Sequence, residues 1–366
     1  MSMLETRRKI ILNKSTILEK LEEIDETNKI SEIKDKIREL KRIIQFPNED
    51  RIGLLNIDVN GDSFEMYKDI LLEDLNQIEE ALTLERTKYY IKRLMKSINE
   101  IKTAKINDIN LNRWKEYTDI ITDSLWMFET RDNSGAHLGW YWGNFVPQIP
   151  HQIMLRYTKK GDWVFDAFAG SGTTLIECRR LGRNGIGVEL NKDVVEKARE
   201  LVDREPNSDN VVSEILVDDS RTIDLKPILE RNGINQIQLL IMHPPYFDII
   251  KFSGDEKDLS NAQTLDDFLK MFGDVVDNTF EILEKGRYLA LVIGDKYSQG
   301  EWIPLGFKTM EEILKRGFKL KGIIVKNFDE TRSKRAQQEL WRYRALVGGF
   351  YIFKHEYIML FKKVSE

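Results

Sequence analysis

Asp166-Ala167-Phe168-Ala169-Gly170-Ser171-Gly172-Thr173-Thr174 follows a short apolar run, Trp163-Val164-Phe165, and precedes Leu175-Ile176-Glu177-Cys178-Arg179-Arg180. The run reads as the end of a buried strand and the sequel as a helix. A glycine-rich turn between a strand and a helix is how an α/β protein offers backbone N–H groups to a nucleotide-like ligand. Gly170 and Gly172 carry no Cβ, so backbone and ligand can approach closely there. The pattern is neither G-x-G-x-x-G nor G-x-x-x-x-G-K-[ST], and no lysine follows the glycines. A triphosphate-cradling loop is therefore disfavoured. Read alone, the stretch is also compatible with a tight strand-to-helix turn that binds nothing.

Composition narrows the field. The chain has 366 residues, comfortable for two domains, with 41% hydrophobic and 32% charged residues. The net charge of −5 supplies no general basic coat, so any nucleic-acid contact must use a local patch. A single cysteine, Cys178, excludes an intrachain disulfide and a cysteine-rich zinc site, and four scattered histidines do not suggest a metal cluster. No metal is expected. No apolar run approaches the ~20 residues of a membrane span. The charged start, with only Ile10-Ile11-Leu12 behind it, does not read as a secretory signal, so a cytoplasmic protein is expected.

Outward from the glycine loop, the chain divides in two. Residues 1–130 read as a helical domain. Ile17, Leu21 and Ile24 form one stripe; Ile30, Ile33, Ile37, Leu40 and Ile44 form another. Pro47-Asn48 stops the second helix, and Asn60-Gly61-Asp62 marks a turn after a short extended piece, Leu54 to Val59. Leu71, Leu75, Ile78 and Leu82 share a face, as do Ile91, Leu94, Met95, Ile98 and Ile101, and Trp114 to Phe128 reads as a third amphipathic stretch. This all-α domain fits packing, dimerisation or target recognition equally. Arg131-Asp132-Asn133-Ser134-Gly135 is the candidate boundary. From 136 to 366, short β-rich runs alternate with helical stretches, the signature of a mostly parallel sheet with helices on both faces. Strands are expected at 163–166, 186–189, 214–217, 238–242, 288–293, 320–325 and 356–361. Helices are expected at 173–181, 192–202, 265–283 and 309–315.

Three further strand ends carry chemistry. Glu189, about 20 residues after the loop, is placed to accept from ribose hydroxyls. A carboxylate in Asp218-Asp219-Ser220-Arg221 could accept from an adenine amine, although a helix N-cap is nearly as good a reading. The fourth strand runs into His243-Pro244-Pro245-Tyr246. Two prolines end the sheet ladder, leave the carbonyls free of it and offer Tyr246 at the mouth of the sheet, suited to stacking on a planar base.

On these residues, 137–362 resemble the S-adenosylmethionine-dependent DNA methyltransferases that modify exocyclic amines, adenine N6 or cytosine N4. The 166–174 stretch is similar to that family's cofactor loop, and Gly143-Asn144-Phe145-Val146-Pro147-Gln148-Ile149-Pro150 to the segment closing over the methionine moiety. His243-Pro244-Pro245-Tyr246 is similar to the Asp/Asn/Ser-Pro-Pro-Tyr/Phe/Trp element except at its first position. Ile293-Gly294-Asp295, Trp302-Ile303-Pro304-Leu305 and His355-Glu356-Tyr357-Ile358 also resemble the family. The resemblance implies a Rossmann-like seven-stranded methyltransferase sheet preceded by the all-α domain, with S-adenosyl-L-methionine as cofactor. It implies cofactor contacts from Phe145, Pro150, Asp166, Phe168, Gly170, Ser171, Gly172, Thr173, Thr174, Glu189 and Asp219, and catalysis by His243, Pro244, Pro245 and Tyr246. Here the cofactor loop precedes the Pro-Pro-Tyr turn, whereas many relatives have the reverse order.

The implied chemistry is methyl transfer to a flipped base in DNA, with adenine N6 slightly ahead of cytosine N4. Hydrogen-bond acceptors aimed at the amine localise its lone pair and stabilise the developing positive charge. The Pro244 carbonyl supplies one acceptor and position 243 the other. A neutral imidazole accepts through one nitrogen and an imidazolium does not, so the rate is expected to fall as pH drops through the histidine pKa. An RNA base methyltransferase, and a catalytically weak nucleic-acid-binding subunit with a relict pocket, remain the alternatives. DNA contact is expected from Lys251, in a loop over the flipped base, and from a basic insert near 331–344 with Arg332, Lys334, Arg335, Trp341, Arg342 and Arg344. A homodimer or a restriction or specificity partner would use the helical N-terminus.

Overall fold

The computed structural model describes residues 7–55, 62–328 and 338–365. It divides into two compact units, Met1–Lys105 with Ile109–Asp119, and Ile106–Asp108 with Ile120–Glu366.

In the first unit, strands β1 (Lys9–Asn13) and β2 (Ser63–Tyr67) accompany helices α1 (Lys14–Asp25), α2 (Ile30–Gln45), α3 (Lys68–Glu80) and α4 (Leu84–Asn99). Asn13 ends β1 and caps α1, its Oδ1 accepting from the Thr16 N–H at 3.0 Å. The expected stripes pack together: Ile17, Leu21, Ile33, Ile37, Leu71, Leu75, Ile91 and Leu94 are fully buried. Leu82 and Ile101 lie beyond the ends of their helices and are exposed. The all-α expectation needs correction. β1 and β2 form an antiparallel pair with Lys9 opposite Tyr67 and Asn13 opposite Ser63. Phe64 and Met66 alternate inward. That two-residue period is too short to stand out beside long helical stripes. The extended piece expected at Leu54 to Val59 lies mostly outside the described residues; Leu54 and Leu55 form a turn.

The second unit holds β3 (Leu125–Trp126), α5 (Gln148–Tyr157), β4 (Trp163–Asp166), α6 (Thr173–Leu181), β5 (Asn184–Glu189), α7 (Lys192–Arg204) and β6 (Ser213–Val217). There follow α8 (Lys226–Arg231), β7 (Ile237–Met242), α9 (Leu265–Phe280), β8 (Leu283–Ile293), a β9–β10 hairpin (Lys296–Ser298, Glu301–Ile303), α10 (Leu305–Leu314), β11 (Phe318–Asn327), α11 (Gln338–Gly348) and β12 (His355–Lys363). The main sheet has the order β3-β11-β12-β8-β7-β4-β5-β6. β12 runs antiparallel to both neighbours, and the other pairs are parallel. All seven expected strands are present, and short β3 adds an eighth at the edge. The stretch Trp114 to Phe128 is not a helix. It forms a 3-10 turn at Leu111–Glu116 and then β3, with Trp126 buried. The β-branched run Ile120-Ile121-Thr122 disfavours helix there.

Alternation along the central strands makes two cores. Phe165, Leu240 and Met242 meet Phe268, Phe272 and Val276 of α9 on one face. Val164, Leu239 and Ile241 meet Ile149, Ile153 and Met154 of α5 on the other. Both faces are covered, which is why these strands read as continuous apolar runs. After β6 at one edge the chain returns to β7 beside β4. The strand order reverses between these two neighbours, and the carboxyl ends at such a switch point are where sheets of this kind bind ligands.

Gly172 fixes the entry to α6. Its φ is +80°, and a Cβ there would lie 2.9 Å from Val202 Cγ2 on α7. Gly172→Ala should therefore cost roughly 2 kcal/mol or more, from the left-handed backbone and the overlap together. A denaturant unfolding curve of the full chain checks this.

Candidate active site

Asp166 ends β4 with its carboxyl buried. Oδ1 accepts from the Phe168 N–H at 2.9 Å and Oδ2 accepts from the Thr174 hydroxyl. Both ends of the glycine loop are thus tied to one side chain. Burial raises its pKa from 3.8 to about 6. Gly170, Ser171, Gly172, Thr173 and Thr174 are all buried, and Phe168 is half-buried. Gly187 on β5 permits the tight fit beneath, because a Cβ there would sit 2.7 Å from Ala169 Cβ.

The next strand ends stand beside the loop. Glu189 accepts from the Gly170 N–H at 3.1 Å through Oε2 and from the Asn191 N–H at 2.9 Å through Oε1. Each oxygen keeps a lone pair for a further donor. Burial raises this carboxyl too. Asp219 is buried and grips the Arg221 guanidinium, Nη2 to Oδ2 at 2.8 Å and Nε to Oδ1 at 3.1 Å. Ser220 Oγ donates to the Ala167 carbonyl at 2.6 Å, which ties the β6 end to the loop.

A strap of residues 131–150 borders the loop. Asn144 Oδ1 accepts from Ser171 Oγ at 2.6 Å, and Tyr141 lies close over Gly170, its Cε1 3.1 Å from where a Cβ would be. Phe145 is buried, and Pro150 is buried in the first turn of α5, where its missing N–H costs nothing. His137 Nε2 and His151 Nδ1 both meet Glu177 of α6, at 2.6 and 2.7 Å. Those contacts outweigh burial and hold the Glu177 carboxyl below its usual range. The strap carries a surplus of donors. Nine buried side-chain N or O atoms of the described residues lack a hydrogen-bond partner, and four are N–H groups in this one segment: Arg131 Nε and Nη2, Trp140 Nε1 and Asn144 Nδ2. Arg131 Nη1 donates to the Phe145 carbonyl at 2.8 Å. Unmet buried donors cost stability, and clustered donors led by a guanidinium suit a carboxylate.

Beside β4, β7 ends and His243-Pro244-Pro245-Tyr246 turns away. Pro244 is buried; the other three are partly buried. Among the described residues no backbone hydrogen bond is made to the Pro244 carbonyl. The His243 ring lies edge-on to Phe145, centroids 5.0 Å apart, so the turn and the strap meet. Tyr246 packs over Gly294 at the end of β8, where a Cβ would sit 2.8 Å from its ring. Its hydroxyl is 3.2 Å from His243 Nε2 and donates to Glu356 Oε2 at 2.8 Å. Glu356 of β12 is in turn paired with Lys326 of β11, Nζ to Oε1 at 3.0 Å. Burial lowers the His243 pKa from 6.5 to about 4 and pushes the Tyr246 phenol well up.

The structure therefore brings the cofactor and catalytic candidates to the carboxyl ends of neighbouring strands. It adds Tyr141, Asn144, Lys326 and Glu356, which sequence reasoning had not singled out individually. The available signal was a charged residue at one end of each apolar run, Lys326 after Ile323-Ile324-Val325 and Glu356 before Tyr357-Ile358-Met359-Leu360. The DNA-contact candidates are more dispersed. Lys251 is exposed beside Phe252, whose ring lies 5.8 Å from that of Tyr141. Arg332, Lys334 and Arg335 lie outside the described residues. On α11, Arg342 and Arg344 are exposed, and the Arg344 guanidinium lies over the Trp341 ring at 5.2 Å. Among the described residues no group of three metal-ligating side chains occurs, and no helix is long and apolar enough to cross a membrane.

An eight-stranded, mostly parallel sheet with β12 reversed, and a glycine loop at its switch point, make this unit a Rossmann-like α/β fold. The family described as DNA methylase matches residues 28–200. The chain is thus similar to that family over less than half of its length. It is similar to the Type II methyltransferase M.HpaI of Haemophilus parainfluenzae, 40% identical over 63 residues (17% of this chain, 20% of the relative). It is also similar to M2.DpnII of Streptococcus pneumoniae, 43% identical over 54 residues (15% and 20%). A solved methyltransferase from Pyrococcus furiosus overlaps with a TM-score of 0.37 and 14% identity, over 63% of this chain and 88% of that one. The chain spans about a fifth of the length of these two curated relatives. The family match ends before His243.

The raised Asp166 pKa makes a stability prediction. A carboxyl that is a weaker acid in the native state favours folding when protonated. That advantage is lost as pH rises from 3.8 through about 6. Asp166→Asn removes the buried charge, keeps the Phe168 N–H bond at its carbonyl and reverses the other, its amide donating to the Thr174 hydroxyl oxygen. It should stabilise the protein by up to roughly 3 kcal/mol at pH 7.5, a gain that vanishes toward pH 4. Thermal unfolding midpoints across that range check it.

Proposed function

We propose that this protein transfers a methyl group from S-adenosylmethionine to the exocyclic amine of a base flipped out of DNA, adenine N6 ahead of cytosine N4. The observation that carries the reading is that the strap bonded to the glycine loop through Asn144 and Ser171 also meets the Pro-Pro-Tyr turn, through Phe145 and His243.

Glu189 would take the ribose hydroxyls and Asp219 the adenine edge. Asp166 shapes the loop that holds the methionine end. Arg131 and Asn144 of the donor-rich strap suit the methionine carboxylate. The bound cofactor supplies an electrophilic methyl on a positively charged sulfur. On the chain's side, the Pro244 carbonyl and the His243 ring accept from the amine N–H groups. They localise its lone pair and offset the positive charge that develops. The Tyr246 ring, fixed over Gly294, offers a face for the flipped base. An alkylated amine conjugated with its ring is a far stronger acid than an imidazolium, so His243 can take the departing proton despite its lowered pKa. Arg342, Arg344, Trp341 and Lys251 supply phosphate and base contacts, with Arg332, Lys334 and Arg335 in the same basic stretch. We place the protein in the cytoplasm and assign the helical unit to pairing with a second copy or with a restriction or specificity subunit.

Histidine is the departure from the side-chain oxygen of the resembled motif, and the structure changes what that departure means. Burial holds the ring neutral to about pH 4, so the acceptor survives well below the ordinary histidine range.

Single-turnover transfer of labelled methyl into adenine-only and cytosine-only DNA duplexes, with matched RNA, tests the function. Transfer to DNA is expected, with a rate that stays flat from pH 8 down to about 5. Labelling of RNA alone would sink the DNA reading, and a decline centred near pH 6.5 would sink the buried neutral imidazole. For the strap, Arg131→Gln should weaken S-adenosylhomocysteine binding by roughly tenfold or more, the scale of a charge-assisted hydrogen bond. It should leave 5′-methylthioadenosine, which lacks the carboxylate, unaffected. Titration calorimetry with the two ligands decides this.

A further inference from the structure

His243 can serve as an acceptor only if the nitrogen that faces substrate carries no proton. A neutral imidazole has one N–H, and either nitrogen can hold it. Something in the protein must choose, and the surroundings of the ring contain a directional chain that does.

The chain begins at Lys326. Its ammonium has donors only, and it meets Glu356 Oε1 at 3.0 Å with both residues buried. As half of an ion pair, the Glu356 carboxylate is acceptor-only. Its other oxygen, Oε2, is 2.8 Å from the Tyr246 hydroxyl, so the phenol must donate there. A hydroxyl has a single proton. Once that is committed to Glu356, the Tyr246 oxygen can only accept at its contact with His243 Nε2, 3.2 Å away. Nε2 must then carry the ring's proton, and Nδ1 is left bare. Among the described residues Nδ1 has no partner. The groups that face the ring are Tyr246 on its own turn, Phe145 from the strap, and Glu356 with Lys326 from β12 and β11. No second acceptor among them competes for the proton.

We propose that Glu356, paired with Lys326, is a positioning residue: acting through Tyr246, it fixes His243 in the Nε2–H tautomer so that Nδ1 is the acceptor presented to substrate. This rests on the methyltransfer reading only for the identity of the substrate. The tautomer itself is a property of the protein alone. The assignment also accounts for a buried ion pair that touches no cofactor candidate. A lysine and a glutamate inside the sheet cost more to desolvate than an apolar pair would, and here they give the hydrogen-bond chain its direction.

The isosteric change Glu356→Gln tests this sharply. Lys326 is donor-only, so the Gln carbonyl turns toward it and the amide NH₂ faces Tyr246. The phenol then accepts from the amide and donates to Nε2, which drives the ring proton to Nδ1, the wrong tautomer. Only four histidines occur in the chain, so ¹⁵N-histidine labelling gives a readable spectrum, and His243→Asn assigns the signal. The wild type without cofactor is expected to show His243 neutral at pH 7 with the proton on Nε2. Glu356→Gln should move it to Nδ1 and slow single-turnover methyl transfer by roughly 10²–10⁴-fold, the scale seen when an amide replaces a carboxylate that orients a histidine. S-adenosylhomocysteine affinity and the melting profile report whether the fold is retained.

Tyr246→Phe removes the relay but leaves the ion pair and the aromatic face. It should give a mixture of tautomers and a smaller loss of rate. The double variant should then be faster than Glu356→Gln alone, because the reversed relay is gone. A merely structural role for Glu356 predicts the opposite, a double variant no better than either single one. If Glu356→Gln fails to fold, the Tyr246→Phe spectrum carries the test: a tautomer mixture supports the relay. A wild-type proton on Nδ1, or a His243 signal unchanged in Tyr246→Phe, overturns it. If no nucleic acid accepts methyl from the wild type, the methyltransfer reading fails while the spectra still decide the relay.

Discussion

The parallel pairing of β4 with β7 is the constraint on which the site depends. Asp166 lies opposite Ile241, and the Ala167 N–H donates to the Ile241 carbonyl at 3.2 Å just beyond. Residues 75 positions apart in sequence therefore leave the sheet at the same level. One exit becomes the glycine loop and the other the His-Pro-Pro-Tyr turn. Neither motif needs the other locally. They stand at neighbouring strand ends only because the chain builds β5 and β6 on one side of β4 and then returns to start β7 on the other.

That geometry explains why so much of the second unit could be read in advance. Strands buried on both faces announce themselves as apolar runs, and α6 begins at Thr173 because Gly172 alone can take a left-handed backbone there. What stayed hidden was of two kinds. Short alternating pieces such as β1 and β2 give too few periods to register beside four long helices. The other kind was side-chain partnership across strands. Lys326 and Glu356 are neighbours because β11 and β12 pair in one register, and no spacing rule relates positions 30 residues apart. The glycine loop's own partners were half legible: Glu189 followed from spacing, whereas Tyr141 and Asn144 depend on how the strap folds back.

The polar interior follows one economy throughout the second unit. Asp166 is satisfied by the loop it shapes, Glu177 by two histidines of the strap, Glu356 by Lys326 and Tyr246, and Asp295 by the Trp302 indole and the Gly306 N–H. Each buried carboxylate ties an irregular segment to a regular element, which gives loops the rigidity that a preorganised site requires. The exceptions matter more. Donors left unmet inside a protein are rare because each is costly, yet the strap gathers several within 14 residues of chain. Arg131, Trp140 and Asn144 are thus the place where the fold leaves its own donors unmet.

A histidine in a place suited to a side-chain oxygen first suggests a damaged site. The physical chemistry argues otherwise. In aspartate or asparagine the acceptor oxygen is bonded to Cγ, and in histidine Nδ1 is bonded to the same atom. The imidazole can therefore present a lone pair from a closely similar position. Two conditions must hold: the ring must be neutral, and the proton must sit on the far nitrogen. Burial meets the first condition, lowering the pKa to about 4. The Glu356–Tyr246 contact meets the second. The buried Lys326–Glu356 pair thereby gives the hydrogen bond between Tyr246 and His243 its direction.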